Sequence, residues 1–349
     1  RPKFNKNTFK TPIIPKVSNS NSKKVIGSNR NLLNINTRKN NIIDYKQILT
    51  NSEKIEKTRS HLKIQDGCDF MCSFCVIPFA RGRSRYREFS NLQEEAKMLA
   101  EEEVREVVIT GVNVGTYKTG NLNIVNVIDF INSIKGIDRI RISSIEPTTV
   151  PKILFQYMKD SQHKLVPFFH LPLQSGSDDI LKKMNRRYSV NEYSDEISSA
   201  FESIPDLCIG TDVMVGFPEE SERDFEKTLT LLKNLPLTYF HVFPFSERER
   251  TPAYKVKDKI SPEVKIKRSK LLRKLSSKKR VTFYQRFLGK TRNVLFEAKT
   301  NNIHYEGYTD NYIKVILDDI DATDYRNKII PTKLYKLNGN SVLGKSLSN

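Results

Sequence analysis

From Ser60 onward, short apolar runs rich in β-branched residues alternate with longer segments whose apolar residues recur every three or four positions. The first pattern fits buried strands and the second amphipathic helices. It predicts strands at Leu62–Gln65, Glu106–Thr110, Arg139–Ser143, Phe168–Leu171, Cys208–Val215 and Tyr239–Phe243. Helix starts fall between them. Ser90-Asn91-Leu92-Gln93 reads as a capping box, Ser221 precedes an acidic first turn, and Ser261-Pro262 opens a long basic helix to about Phe287.

Strand–helix alternation over six units implies parallel strands with right-handed crossovers, so the expected class is α/β, a partial (β/α)6 barrel. Ligands in such barrels sit at the carboxyl ends of the strands. There the chain reads Asp66-Gly67-Cys68, Thr110-Gly111-Val112-Asn113, Ser143-Ser144-Ile145-Glu146, Leu173-Gln174-Ser175-Gly176 and Val215-Gly216-Phe217-Pro218, all polar or glycine-bearing. After Phe287 the helical period stops. Strands at Arg292–Ala298, Ile303–Tyr308, Tyr312–Leu317 and Lys328–Leu334, with turns at Asn301-Asn302 and Asp310-Asn311, predict a small antiparallel β-barrel. Residues 1–57 are rich in Asn, Ser and Lys and read as a low-complexity lead-in with one short helix near Tyr45–Glu53. The expected divisions are therefore 1–57, 58–287 and 288–349.

Composition adds three constraints. The formal net charge of +19 points to a polyanionic partner such as RNA, with a compositional bias toward Lys as the plainer alternative. No run of 18 apolar residues occurs and no secretory signal opens the chain, so we expect no membrane span and a cytoplasmic protein. Three of the four cysteines, Cys68, Cys72 and Cys75, lie in one loop, which argues for a metal site in a reducing compartment rather than a disulfide framework.

That loop, Cys68-Asp69-Phe70-Met71-Cys72-Ser73-Phe74-Cys75, follows the first strand with C-x3-C-x2-C spacing. Three thiolates can hold three irons of a [4Fe–4S] cube and leave the fourth open to another ligand. Zinc is the alternative, but a structural zinc site wants a fourth ligand. The nearest histidines, His61 and His163, lie across a strand and far along the chain.

The loop resembles the signature of the radical S-adenosylmethionine (SAM) superfamily. Its surroundings resemble the methylthiotransferase family: Ile77-Pro78-Phe79-Ala80-Arg81-Gly82, Leu171-Pro172-Leu173-Gln174-Ser175-Gly176-Ser177 and Asp212-Val213-Met214-Val215-Gly216-Phe217-Pro218. Gln65-Asp66-Gly67, Pro78–Gly82 and Glu146 are most similar to the branch acting on threonylcarbamoyladenosine in tRNA. The C-terminal strands, above all Tyr305–Val315, resemble a TRAM domain, an RNA-binding barrel.

The resemblance implies a [4Fe–4S] cluster on Cys68, Cys72 and Cys75, and SAM bound at its open iron. One SAM would methylate sulfur and another would supply the radical that opens adenine C2 beside the anticodon. Around SAM it implies Phe74 near the adenine and Thr110, Gly111 and Asn113 near the amino group. Gln174 and Asp212 would meet the ribose or methionine part, unless they are merely satisfied rim residues. Gly216 would admit close approach of the adenine. Arg81, Arg83, Arg85 and Arg87 recur at every second position, which in an extended loop would make one phosphate-binding strip, or else a solvated basic loop. Cys208, His170 and His241 lie in strands and read as packed core residues.

The implied partners are tRNA and an electron donor such as flavodoxin or ferredoxin, for a monomer. The family also carries an N-terminal domain with three further cysteines and a second [4Fe–4S] cluster. No cysteine precedes Cys68 and the chain starts at Arg1 without Met, so we expect a longer full-length form, the alternative being a form that has lost the second cluster, with 1–57 a lead-in or a remnant of that domain. Glu219 stands where the family usually has Gly. The rival functions are methylthiolation of isopentenyladenosine in tRNA or of a ribosomal protein, and a non-catalytic RNA-binding remnant.

Overall fold

This computed structural model describes residues 58–300, 304–318 and 324–347, together with the backbone of Ile42–Ile43. The expected lead-in, its helix near Tyr45–Glu53 and the Asn301-Asn302 turn lie outside the described residues, apart from Ile42–Ile43. That dipeptide pairs in parallel with Tyr86–Arg87.

Six parallel strands form the larger part: β1 (Arg59–Lys63), β2 (Glu106–Thr110), β3 (Arg139–Ile142), β4 (Phe168–His170), β5 (Cys208–Val215) and β6 (Tyr239–Pro244). They form two three-stranded sheets, β1-β2-β3 and β4-β5-β6. A parallel bridge between Ile140 and Leu165 joins the two into one open barrel. Each strand is followed by one or more helices: α1 (Phe89–Glu101), α2 (Ile124–Ser133), α3 (Ile153–Lys159), α4 (Asp178–Lys183), α5 (Val190–Ser203), α6 (Glu222–Asn234) and α7 (Pro262–Gln285).

The strand alternation has a particular sense. Leu62, Ile109, Ile140, Ile142, Phe169, Ile209, Val213 and Phe240 point outward into the main core under the helices. The intervening positions, His61, Val108, Arg141, His170, Asp212 and His241, line the lumen. Apolar faces out because helices, not water, cover the outside. The lumen is the polar side.

Helix ends match the sequence reading in two places of three. Ser221 caps α6 in a full capping box with Asp224, and Ser261 caps α7 with Pro262 at its first turn. Each such cap contributes about 1 kcal/mol. Ser90 does not cap α1. The helix starts one residue earlier, at Phe89 after Glu88, so Ser90 lies inside its first turn. Although α7 is basic, it buries a polar seam: Arg268 bonds Glu220 and Glu222, and Ser276 bonds both the N–H and the C=O of Phe240.

The C-terminal strands close a second barrel from β7 (Thr291–Thr300), β8 (His304–Thr309), β9 (Lys314–Leu317), β10 (Ile329–Asn338) and β11 (Ser341–Ser346), in the order β7-β8-β9-β11-β10. Two details depart from the expectation. A fifth strand, β11, is present, and it closes the barrel through a parallel pairing with β9. The barrel is therefore antiparallel everywhere except at that seam. Four strands with two-sided pairing would leave β9 and β10 as open edges, and β11 removes both.

The small barrel's core is continuous with the base of the large one. Val294, Phe296, Ile313 and Val315 pack with Phe168, Cys208 and Tyr239 from the starts of β4, β5 and β6. Cys208 is buried there, and burial lifts its thiol to about 12. It is a core thiol, as its place in an apolar strand suggests.

Candidate active site: a cysteine loop and a charged lumen

The cysteine loop leaves β1 through Gln65 and Gly67. Gly67 has φ +72°, and a Cβ there would sit 2.1 Å from the Arg83 carbonyl oxygen, so no other residue fits without moving the backbone. Gln65 is fully buried and ties two loops together. Its Nε2 donates to the Gly67 carbonyl at 2.7 Å, and its Oε1 accepts from the N–H groups of Val112 and Asn113, both at 2.8 Å. In the sequence Gln65 stands only as one letter of a motif; its part as the staple shows in three dimensions alone.

Burial raises both Cys68 and Cys75 above the ordinary thiol value, and the Cys72 thiol in the same loop adds to each shift. Cys68 Sγ accepts from the Phe70 N–H at 3.4 Å, and Cys72 Sγ accepts from Arg186 Nη1 at 3.4 Å. Three convergent thiols with N–H···S donors suit an iron–sulfur cluster, whose thiolates such donors stabilise. Asn113 is buried with its Oδ1 unpartnered, an acceptor waiting at the position the resemblance gives to the SAM amino group. The residues present fit both groups.

Arg186 carries no signal of its own in the sequence. It is almost fully buried and touches Glu146, Tyr188 and the Pro172 carbonyl as well as Cys72. Burial raises the Glu146 carboxyl, partly offset by the Arg186 charge beside it. Phe74 lies partly buried against Ile180, Phe217 and Phe245 beside the loop.

Other expected positions need correction. The four arginines do not make one strip. Arg81 and Arg85 both bond Asp66, Arg83 bonds Asp69, and Arg87 is buried with Asn91, Glu95 and the Lys63 carbonyl as partners. The chain from Arg85 to Arg87 is a strand paired with Gln65–Asp66; Arg85 and Arg87 share one face of it, and Arg87 is buried there. Arg81 and Arg83 remain open to solvent; Arg87 cannot reach RNA.

Asp212 does not end its strand but lies three residues before the end of β5, in the lumen. Gln174 lies beyond β4, with φ +71°, bridged to Val213. At Gly216 the close approach is made by Lys265, whose Cγ would lie 2.3 Å from an added Cβ. Glu219 has φ +64°, a conformation that explains the Gly usual at that position.

The lumen forms a cavity of about 750 Å³ running from Phe243 and Ser143 at the rim down to Glu297 and Tyr312 of the small barrel. Asp212 Oδ1 sits between His170 Nε2 at 3.4 Å and His241 Nδ1 at 3.2 Å, and Ser144 Oγ meets His170 Nδ1 at 2.9 Å. Burial alone would raise the Asp212 carboxyl, but its two imidazole partners hold it well below the ordinary range. His170 is buried as expected. His241 is not: its side chain is half-exposed to the cavity.

At the floor, fully buried Glu106 pairs with Arg141 at 2.6 Å and faces Arg139 at 3.9 Å. Arg139 donates to the Tyr308 and Asn293 carbonyls of the small barrel, and Arg59 pairs with Glu297 at 2.5 Å. Tyr308 and Tyr312, in the stretch that resembles an RNA-binding barrel, stack on each other and face this floor. Their rings are committed to the seam.

Comparison with known proteins agrees with this geometry. Residues 62–232 match the Radical SAM superfamily. A threonylcarbamoyladenosine tRNA methylthiotransferase, MtaB, from Chlamydia pneumoniae is 37% identical over 83% of this chain and 68% of its own length. The chain belongs to the radical SAM methylthiotransferase family. The Aquifex aeolicus MtaB is 40% identical over 73% of this chain and 62% of its own length. A tRNA-2-methylthio-N(6)-dimethylallyladenosine synthase from Ehrlichia canis is 34% identical over 83% of this chain and 67% of its own length. Both substrate branches are thus represented among its relatives, and the chain spans a little under two thirds to just over two thirds of their lengths. Among the described residues no helix is long and apolar enough to cross a membrane.

Proposed function

We infer that the chain carries the catalytic core of a tRNA methylthiotransferase acting on threonylcarbamoyladenosine beside the anticodon. Residues 58–287 form its catalytic domain and 288–349 an RNA-facing barrel. Cys68, Cys72 and Cys75 hold the cluster, while Thr110, Gly111, Asn113 and Gln174 meet SAM, with Phe74 beside them. When bound and reduced by a donor such as flavodoxin or ferredoxin, the cluster supplies the electron that cleaves SAM. The protein's own share is to hold these groups at the rim and to receive the nucleoside in the lumen.

One observation favours this substrate over isopentenyladenosine: the lumen presents Arg141, His170, Asp212 and His241. An isopentenyl chain has no heteroatom, and burying it here would leave the unpartnered Arg141 Nη1 without a ligand at about 1–3 kcal/mol. A threonylcarbamoyl chain offers a carboxylate, a hydroxyl and ureido N–H groups.

The test is expression of the gene encoding this chain in a host whose tRNA carries both modified adenosines but neither methylthio derivative. Mass spectrometry of digested tRNA should show the methylthio product at threonylcarbamoyladenosine. A product at isopentenyladenosine alone would move the chain to the sister branch.

A further inference from the structure

We propose that Arg141 and His241 are the specificity-determining residues for the N6 substituent, which enters the lumen with its carboxylate toward Arg141. The proposal rests on the threonylcarbamoyl reading above and adds to it which atoms recognise the chain.

Arg141 is nearly fully buried. Its Nε and Nη2 are fixed on Glu106 at 2.6 and 3.3 Å, and its guanidinium packs against the adjoining rings of Phe168 and Tyr312 at 5.0 and 4.8 Å. Its Nη1 has no partner among the described residues. A guanidinium locked in place by a carboxylate, packed against two aromatic rings and holding one buried, unpartnered donor beside a cavity that Arg141 lines is a prepared anion site. A donor stranded there without a ligand is costly, so its retention calls for an occupant.

His241 supplies the complementary atom. In the tautomer whose Nδ1–H donates to Asp212 across 3.2 Å, Nε2 is left as an acceptor. Asp212 orients His241 through this contact, while His170, bonded to Ser144, lies 3.4 Å from the same oxygen without bonding it. The acceptor suits the hydroxyl or a ureido N–H of the substituent. Half-exposed Phe243, farther out on β6, offers a stacking face for the base at the mouth. The same trio of His170, Asp212 and His241 has the donor types of a divalent metal site, which makes a bound cation the rival occupant.

The experiment uses anticodon stem-loop RNAs that differ only in the target nucleoside: threonylcarbamoyladenosine, isopentenyladenosine or plain adenosine. Binding to the anaerobically reconstituted chain is read by fluorescence anisotropy at one fixed salt concentration. Wild type should prefer the threonylcarbamoyl RNA by about tenfold or more. His241→Phe should lose most of that preference and gain on the isopentenyl RNA, while His241→Gln, which keeps an acceptor, should retain part of it. Arg141→Lys, which keeps a charge on Glu106 but not the two-point contact, should also lose the preference and lower Tm, so the two His241 variants carry the test free of a stability change.

A wild type without preference would defeat the functional reading itself. A wild type with preference that His241→Phe leaves intact would overturn this inference alone. Zinc added to the chain should neither be retained after desalting nor block RNA binding; retention with blocking would assign the trio to a metal and overturn the proposal.

Discussion

At the carboxyl-terminal rim the cysteine loop is held by backbone hydrogen bonds, one glycine and the buried amide of Gln65. The floor of the same lumen is held by charges: Glu106 with Arg141 and Arg139, and Arg59 with Glu297. Backbone-held loops keep their shape whatever occupies them, which suits a loop that must fix three thiols. Buried charge clusters depend on every member being present. The rim is thus expected to tolerate loss of its cofactor, and the floor to tolerate little.

The strongest way to break this comparison is Glu106→Gln. It keeps the side chain's shape but leaves Arg141 and Arg139 without their counter-ion, which should cost about 3–5 kcal/mol of unfolding free energy in urea denaturation. Burial pushes the Glu106 carboxyl up, yet Arg141, Arg139 and Arg59 together hold it below its ordinary value. A depressed folded value means that the stabilisation is fully present above the unfolded carboxyl value of about 4.3 and is lost as pH falls through the folded one. The variant should lack that acid-dependent step. A loss under about 1 kcal/mol would show that the floor is held by packing instead. Iron content per folded chain should stay unchanged.

Arg186 sharpens the other side. Its N–H···S bond to Cys72 is the one charged side-chain bond to a cluster thiol among the described residues. A charge-assisted bond of about 1.5 kcal/mol corresponds to roughly 60 mV for one electron. The bond and the positive charge both favour the reduced, more negative cluster, so Arg186→Gln should lower the potential by that order. Glu146, its other partner, already has a raised carboxyl and can accept a proton when left alone. A redox titration followed by electron paramagnetic resonance reads the shift, and an unchanged potential would leave Arg186 a packing residue.

The same contrast decides what was legible in the sequence. The rim was, because its residues are neighbours in the chain: Cys68, Cys72 and Cys75 fall in one loop, and Gly67 and Gln65 stand beside them. The six barrel strands were also legible to within a residue or two at most ends, since β-branched runs mark them directly. The lumen was not. Arg141, His170, Asp212 and His241 come from four strands, and each alone reads as an unremarkable strand residue. One signal was available: Arg139-Ile140-Arg141-Ile142 alternates charge with apolar residues in a strand that both neighbours must bury. That pattern requires a polar interior, and it would have turned His241 inward as well. The arginine run failed for the opposite reason. Its spacing does give Arg85 and Arg87 one face, but that face turns toward Asp66 and Glu95 within the protein and not outward.

The smallest expected effect concerns the small barrel, whose Tyr308 and Tyr312 are committed to the floor. If this barrel also meets RNA, it must use a different face, and exposed Lys333, Lys336 and Lys345 on β10 and β11 provide one. Deleting residues 288–349 would not test this cleanly, because it would strip cover from Phe283, Tyr284 and Phe287 as well as the base of β4 to β6. Replacing the three lysines with alanine leaves that seam alone. Each lysine–phosphate pair removed should flatten the dependence of log K on log salt by about 0.7–0.9. The affinity for all three stem-loops should fall together, since phosphate binding carries no information about the modified base. Equal slopes for variant and wild type would mean that the barrel serves as the floor of the lumen and nothing more, with RNA held elsewhere. The outer face of α7, where Lys267, Lys270, Lys274 and Lys278 are exposed, would then be the next surface to change.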